Sequence, residues 1–281
     1  MPIRTFRPLT PSTRYIARPT FDEITKTRPE KSLVRTRKRT SGRNSYGRVT
    51  SRGRGGGHKQ KLRTVDFKRN KHGVDAKVIA IEYDPGRTAR LALLEYADKE
   101  RRYILAPVGL EVGRIVQNGP NAAPLPGNSA PLKSIPIGSP IHNLELTPGR
   151  GGQLVRSAGV AATLMSRDEG YAQVRLPSGE MRLVNELCIA TIGQVGNTDH
   201  ENRVWGKAGS SRHRGIRPIS RAVARNPVDH PMGGGQGKTA GGGHPVTPWG
   251  VITRGYKTRR RKHVSNRFIL VRRDGRPFKK S

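Results

Sequence analysis

The sequence predicts an all-β protein in which two small β modules sit in tandem and long, basic, irregular extensions flank them. Three observations carry this expectation. Positive charge is confined to the ends: residues 1–72 hold 21 Lys/Arg against 4 Asp/Glu, residues 73–195 hold 13 against 12, and residues 196–281 hold 20 against 4. Short runs rich in Val, Ile, Leu and Tyr begin at Ala76 and stop near Ile192, separated by turn signals at close intervals, which is the pattern of β barrels and sandwiches. Glycine clusters at 233–235 and 241–243, with Pro245 and Pro248, exclude a long helix from most of the C-terminal extension. The expected divisions are 1–72, 73–125, 126–195 and 196–281.

The elements follow in order. Residues 77–83 (KVIAIEY) form a strand that ends at Asp84-Pro85-Gly86, where proline fixes φ and glycine accepts a positive one. Residues 90–96 (RLALLEY) return, a polar turn covers 97–101, and a third strand at 103–106 completes a meander, with a fourth near 114–117. Six prolines in 118–140 remove backbone donors and make this a linker or a long surface crossing. Strand signals resume at 141–146, 153–156 and 162–165. Ala172, Val174 and Leu176 then alternate with polar residues, Pro177-Ser178-Gly179 turns the chain, and Met181 and Leu183 resume the alternation, so a hairpin is expected. Residues 187–192 close the second set, and 220–224 have room for one helical turn.

The two flanks repel themselves and carry little apolar surface, so they need a polyanion to become ordered. The first twenty residues contain no apolar run of the length a leader or a membrane span needs, and the basic segments lack the apolar stripe of an interfacial helix. Nucleic acid is thus the expected partner, in a cytoplasmic setting, with no membrane contact. Cys188 is the single cysteine and lies in an apolar run, which excludes an intrachain disulfide and a thiolate cluster.

The cluster Gly53-Arg54-Gly55-Gly56-Gly57-His58-Lys59 sets unhindered backbone among cations, a combination that suits close approach to phosphates better than a plain flexible linker. Arg63, Lys68, Arg69 and Lys71 extend it. It is not a dinucleotide fingerprint, because the third glycine of that pattern falls on His58 and no strand leads in. Gly237-Lys238-Thr239 resembles the end of a phosphate-binding P-loop, but Met232 stands where the pattern needs glycine and no strand-loop-helix context surrounds it. The eight histidines show no metal-ligand spacing. Asp229-His230 makes His230 the one candidate for catalysis, against the plainer reading of a histidine bonded to RNA or backbone. Trp205, Trp249 and Tyr256 sit among cations or glycines and either stack on unpaired bases or anchor the extension locally.

Several motifs in a fixed order carry a resemblance. Asn226-Pro-Val-Asp-His-Pro-Met-Gly-Gly-Gly235 and Gly243-His-Pro-Val-Thr-Pro-Trp-Gly250 resemble the C-terminal signature of the universal large-subunit ribosomal protein two family in its bacterial or organellar form. Thr10-Pro11-Ser12-Thr13-Arg14, Asp66-Phe67-Lys68-Arg69, Glu82-Tyr83-Asp84-Pro85, Arg156-Ser157-Ala158-Gly159 and Gly206-Lys207-Ala208-Gly209 extend the similarity over almost the whole chain. It implies an oligonucleotide-binding-type barrel followed by a Src-homology-three-like barrel, with both extensions threaded into large-subunit rRNA. It also implies a role in subunit joining, tRNA binding and support of the peptidyl transferase region, in which the histidine matching His230 matters. Many relatives have histidine where this chain has Met232 and glutamate where it has Gln236, departures that weaken any mechanism needing a histidine pair or that acid.

The expected function is therefore a structural, non-enzymatic rRNA-binding constituent of the large ribosomal subunit. Its partners are that rRNA, neighbouring ribosomal proteins, small-subunit rRNA at an inter-subunit contact and nearby tRNA, with no homo-oligomer and no cofactor beyond structural Mg2+ held by RNA. The expected contact residues are Arg52, Arg54, Gly56, His58, Lys59, Arg63, Lys68, Arg69, Arg203, Trp205, Lys207, Arg212, His213, Arg214, Arg217, Arg225, Asp229, His230, Lys238, Trp249, Arg254, Lys257, Arg259, Arg260, Arg261 and Lys262. Two rivals remain: an acyl-transfer enzyme using His230 as general base, and a DNA-binding regulator. A bacterial or an organelle-encoded source fits the absence of a transit-like leader in the sequence.

Overall fold

A computed structural model describes residues 3–237, 239, 241–260 and 262–278. The strands in chain order are β1 (Ile3–Thr5), β2 (Ala17–Pro19), β3 (Val34–Thr36), β4 (Lys61–Arg63), β5 (Ala76–Glu82), β6 (Leu91–Tyr96), β7 (Arg101–Leu105), β8 (Ile115–Val116), β9 (Ser129–Pro131), β10 (Pro140–His142), β11 (Ala162–Asp168), β12 (Tyr171–Arg175), β13 (Met181–Asn185), β14 (Ile189–Ile192) and β15 (Ile269–Val271). Among the described residues the one α-helix, α1 (Ala208–His213), has six residues. The chain is all-β, an oligonucleotide-binding-type module followed by a Src-homology-three-like one.

The first sheet is antiparallel in the order β7-β6-β5-β8. Alternate residues of β5 are buried, so one face of the strand packs on the core while Lys77 stays in solvent. Val78, Leu94, Ile104 and Val116 fill one apolar cluster, and Leu91, Leu93, Tyr103 and Val195 fill another. The second sheet runs β15-β13-β12-β11-β10-β14-β9, and its core contains Leu132, Ile141, Leu164, Val174 and Cys188. Burial of Cys188 pushes its thiol up to about 12, so it is a small hydrophobe and not a nucleophile.

Six strands lie where the sequence patterns do not place them: β1 to β4, short strands within the N-terminal 72 residues, and β9 and β15. β9 falls inside the proline-rich crossing and pairs Pro131 with Ile189 and Ala130 with Ala190. It is an edge strand, the position at which a missing N–H is tolerated. β15 closes the opposite edge by pairing with β13. Residues 153–156, expected as a strand, contribute only the bridge Leu144 to Leu154.

The chain divides into two compact units, one made of residues 1–38, 59–208 and 265–281 and the other of residues 39–58 and 209–264. The first unit holds both β modules. The second is built from pieces of the two basic flanks, so much of what composition makes an unpartnered extension is paired with chain far away in sequence. No helix among the described residues is long and apolar enough to cross a membrane.

Candidate nucleic-acid interface

In the second unit, residues 53–58 run alongside 213–217. The Gly55 amide donates to the Gly215 carbonyl (3.0 Å), the His58 amide to the His213 carbonyl (2.8 Å) and the Arg217 amide to the Gly53 carbonyl (2.9 Å). Arg39 donates to the carbonyls of Gly56 and His58 and clamps the loop from outside. Gly57 shows what the glycines do here. At φ +82 a Cβ on Gly57 would stand 2.5 Å from the Gly215 nitrogen and 2.6 Å from the His213 oxygen. The close approach is therefore to the protein's own backbone, which corrects the expectation that the whole cluster is free for phosphates. Gly56 has open space where its Cβ would be, and a Cβ on Gly55 would meet only side chains at an ordinary contact distance of 3.5 Å.

This pairing leaves the cations outward. Arg52, Arg54, His58, Arg212, His213, Arg214 and Arg217 are exposed, as are Arg254, Lys257, Arg259, Arg260 and Lys262. Lys238 and Arg261 lie outside the described residues. The unit contains 17 Lys/Arg and one carboxylate, Asp229, a balance that attracts phosphates strongly and in a salt-dependent way.

Two hairpins of this unit hold aromatic side chains at their tips. In the first, Arg43 bridges to Val49, and the Asn44 Oδ1 accepts the amides of Tyr46 (3.1 Å) and Arg48 (3.0 Å). Tyr46 is 87% exposed. In the second, Val246 bridges to Ile252, and the Thr247 Oγ1 accepts the amides of Trp249 (3.4 Å) and Val251 (3.1 Å). Trp249 is 79% exposed. A polar side chain that gathers two turn amides fixes the loop while leaving the ring to solvent, and such a ring is a stacking platform for an unpaired base. The sequence reading passed over Tyr46; the signal was Asn44-Ser45-Tyr46-Gly47 between two arginines. Tyr256 is exposed as well.

His230 is 5% exposed. Its Nδ1 accepts the Met232 amide (3.1 Å), which puts the proton of the neutral ring on Nε2, and its carbonyl accepts the Gly233 amide (2.8 Å). The Met232 Sδ in turn accepts the Val246 amide at 3.3 Å. The ring nitrogen that a base would use is thus engaged in holding a turn.

In the first unit Lys59, Lys68 and Lys207 are exposed, and Arg63 is half-buried with one guanidinium nitrogen on the Lys61 carbonyl (2.9 Å). Arg69 is a correction. It is 1% exposed, and its guanidinium donates to the Asn118 Oδ1 (2.8 Å) and the Gly127 carbonyl (3.0 Å), so it fastens the chain internally and offers nothing to phosphate. Burial lowers its pKa, an effect that Tyr96 and the Asp66 carboxylate offset only in part. Arg203 stacks over Trp205 at 3.9 Å, and its neighbour Val204 bridges to Ala17. Trp205 is half-buried there, which fits the local anchor of the two roles expected for it.

Residues 30–118 match the family described as Ribosomal Proteins L2, RNA binding N-terminal domain, and residues 125–250 match Ribosomal Proteins L2, C-terminal domain. The chain belongs to the ribosomal protein L2 family. Membership makes it a ribosome-associated, RNA-binding component of the large subunit. The L2 matches span both β modules and most of the second unit.

Proposed function

We propose that this chain is a non-enzymatic architectural protein of the large subunit that supports subunit association, tRNA binding and the peptidyl transferase region, peptide-bond formation itself being RNA chemistry. The observation that carries the reading is the second unit: a hydrogen-bonded scaffold in which Gly57 packs closely against distant backbone and most of the arginines and lysines are exposed. Such a surface offsets phosphate repulsion where RNA helices crowd together and loses little conformational freedom on binding. The contacts expected at Arg52, Arg54, Gly56, Arg254, Lys257, Arg259 and Arg260 belong to this proposal. Neighbouring proteins, small-subunit rRNA and tRNA are its further partners, with any structural Mg2+ held by RNA.

The enzymatic rival is tested by His230→Ala in assembled large subunits, followed by single-turnover peptide-bond formation. The reading expects a change of less than about tenfold, attributable to the loosened turn. Intact assembly with a loss of about 10² to 10⁴-fold, the usual contribution of a general base, would overturn the non-catalytic role.

A further inference from the structure

Asp229 is the only acidic residue among 39–58 and 209–264, set against 17 cations. A carboxylate repels the phosphates that such a surface attracts, and Asp229 makes no ion pair with a described residue that would neutralise it. Its surroundings suggest a purpose. It lines an open cavity of about 450 Å³ together with Arg52, Gly53, Pro218, Ile219 and Arg225, within the range of about 300–1,000 Å³ typical of small-ligand pockets.

The cavity is built by backbone contacts on both sides. Gly53 has φ +67, and a Cβ there would meet the Ile219 Cδ1 at 2.5 Å, so the glycine lets Ile219 lie flat against the main chain. Ile219 remains 60% exposed and offers an apolar face. On the other rim the Arg225 Nη2 donates to the Ser220 carbonyl (2.9 Å), the Asp229 amide to the Asn226 carbonyl (3.0 Å) and the Gly234 amide to the Arg225 carbonyl (2.9 Å). The buried His230 turn follows directly. Asp229 therefore stands on a held segment with its oxygens open to solvent.

We infer that this cavity receives one unstacked guanine of the bound RNA. The base rests on Ile219 and Pro218, its N1–H and N2–H donate to the two Asp229 oxygens, and Arg52 and Arg225 offset the adjoining phosphates. Guanine is the base whose Watson–Crick edge sets two donors side by side. Adenine and cytosine present one donor beside an acceptor, and uracil one donor between two acceptors, so each would turn an acceptor toward the carboxylate. Splayed-out bases read on that edge and stacked on flat or apolar side chains are the usual mode of single-stranded RNA recognition. The inference rests on the rRNA-binding reading and adds a base preference to it.

The test uses the full chain and fluorescent uridine 11-mers whose central residue is guanosine, inosine, adenosine or uridine, titrated at one salt concentration. Guanosine is expected to bind about tenfold tighter than adenosine or uridine, within the range that a good bidentate base contact discriminates. Inosine, which lacks the N2 amine, is expected between them. Asp229→Asn, which keeps the shape, should erase the guanosine preference and slightly raise all-uridine affinity, because a carboxylate that repels phosphate is lost. Equal binding of all four, or a guanosine preference that survives in Asp229→Asn, overturns the pocket alone. Absence of salt-dependent binding to any 11-mer overturns the nucleic-acid reading and the pocket with it.

Discussion

Replacing Gly57 with alanine isolates the contact that joins the two basic flanks. A left-handed backbone costs an alanine about 1–2 kcal/mol. The added methyl would also stand 2.5 Å from the Gly215 nitrogen and 2.6 Å from the His213 oxygen, and forcing backbone apart in this way costs about 1–3 kcal/mol more. Gly56→Ala is the matched control: φ is +64, and nothing lies within 4 Å of the new methyl, so it meets the backbone cost alone. The assay is hydrogen exchange at the Gly55 and His58 amides, which donate to Gly215 and His213. Local opening sets the exchange rate of such amides. Gly57→Ala should therefore speed exchange about 5- to 150-fold more than Gly56→Ala, since each 1.4 kcal/mol is tenfold. Equal acceleration by the two variants would refute the argument that Gly57 is required by close backbone packing.

Three more outcomes follow from particular side chains. Arg69→Ala should destabilise the fold by about 2–4 kcal/mol in chemical denaturation, because Asn118 and the Gly127 carbonyl lose a buried donor, whereas Arg54→Ala should lower RNA affinity with stability unchanged; the reverse pattern contradicts the assignment. Tyr46→Ala and Trp249→Ala should each weaken single-stranded RNA binding by about 1–3 kcal/mol without changing the slope of affinity against salt, and a changed slope would show that charge and not stacking was lost. His142 is buried, its Nδ1 donates to the Gly193 carbonyl (2.8 Å), and burial holds its pKa down at about 4. The unfolded chain takes up a proton between pH 6.5 and 4 while the folded one does not, so the stability advantage over His142→Asn should shrink by about 3 kcal/mol as pH falls through that window. A difference that stays constant with pH would contradict it.

Much of the architecture is legible in the sequence because β burial writes a period of two into the chain. The hairpin of β12 and β13 lies where the alternation of Ala172 and Val174 places it, but on β13 the buried residue is Val184, paired with Ala172, while Leu183 pairs with Gln173 on the other face. What escapes is pairing at edges, where composition and structure part. Pro131 reads as a strand breaker, yet it ends β9 at the edge of the sheet, where a missing N–H is tolerated. Ile269 and Leu270 lie in a basic tail too short to show a pattern, and only the free edge of β13 makes them a strand. Arg69 escapes for a different reason. The Asp66 Oδ1 accepts the amides of Lys68 (3.1 Å) and Arg69 (2.8 Å), and this turn, with Arg69 at φ +52, sends one cation of a basic run inward. Charge counting cannot separate it from its neighbours. The glycines of 53–57 mislead in the same way, since freedom to approach a phosphate and freedom to approach another strand of backbone leave the same residue in the sequence.

The central claim, that the chain is an integral part of the large subunit held by interdigitated cationic segments, is tested most directly by sedimenting a native lysate through gradients at low and at high salt and following this protein. Retention in the large subunit through the high-salt wash is the predicted result, because a surface engaged on many sides resists the counterion effect that strips peripheral cationic proteins. Free sedimentation, or release at moderate salt, would contradict it.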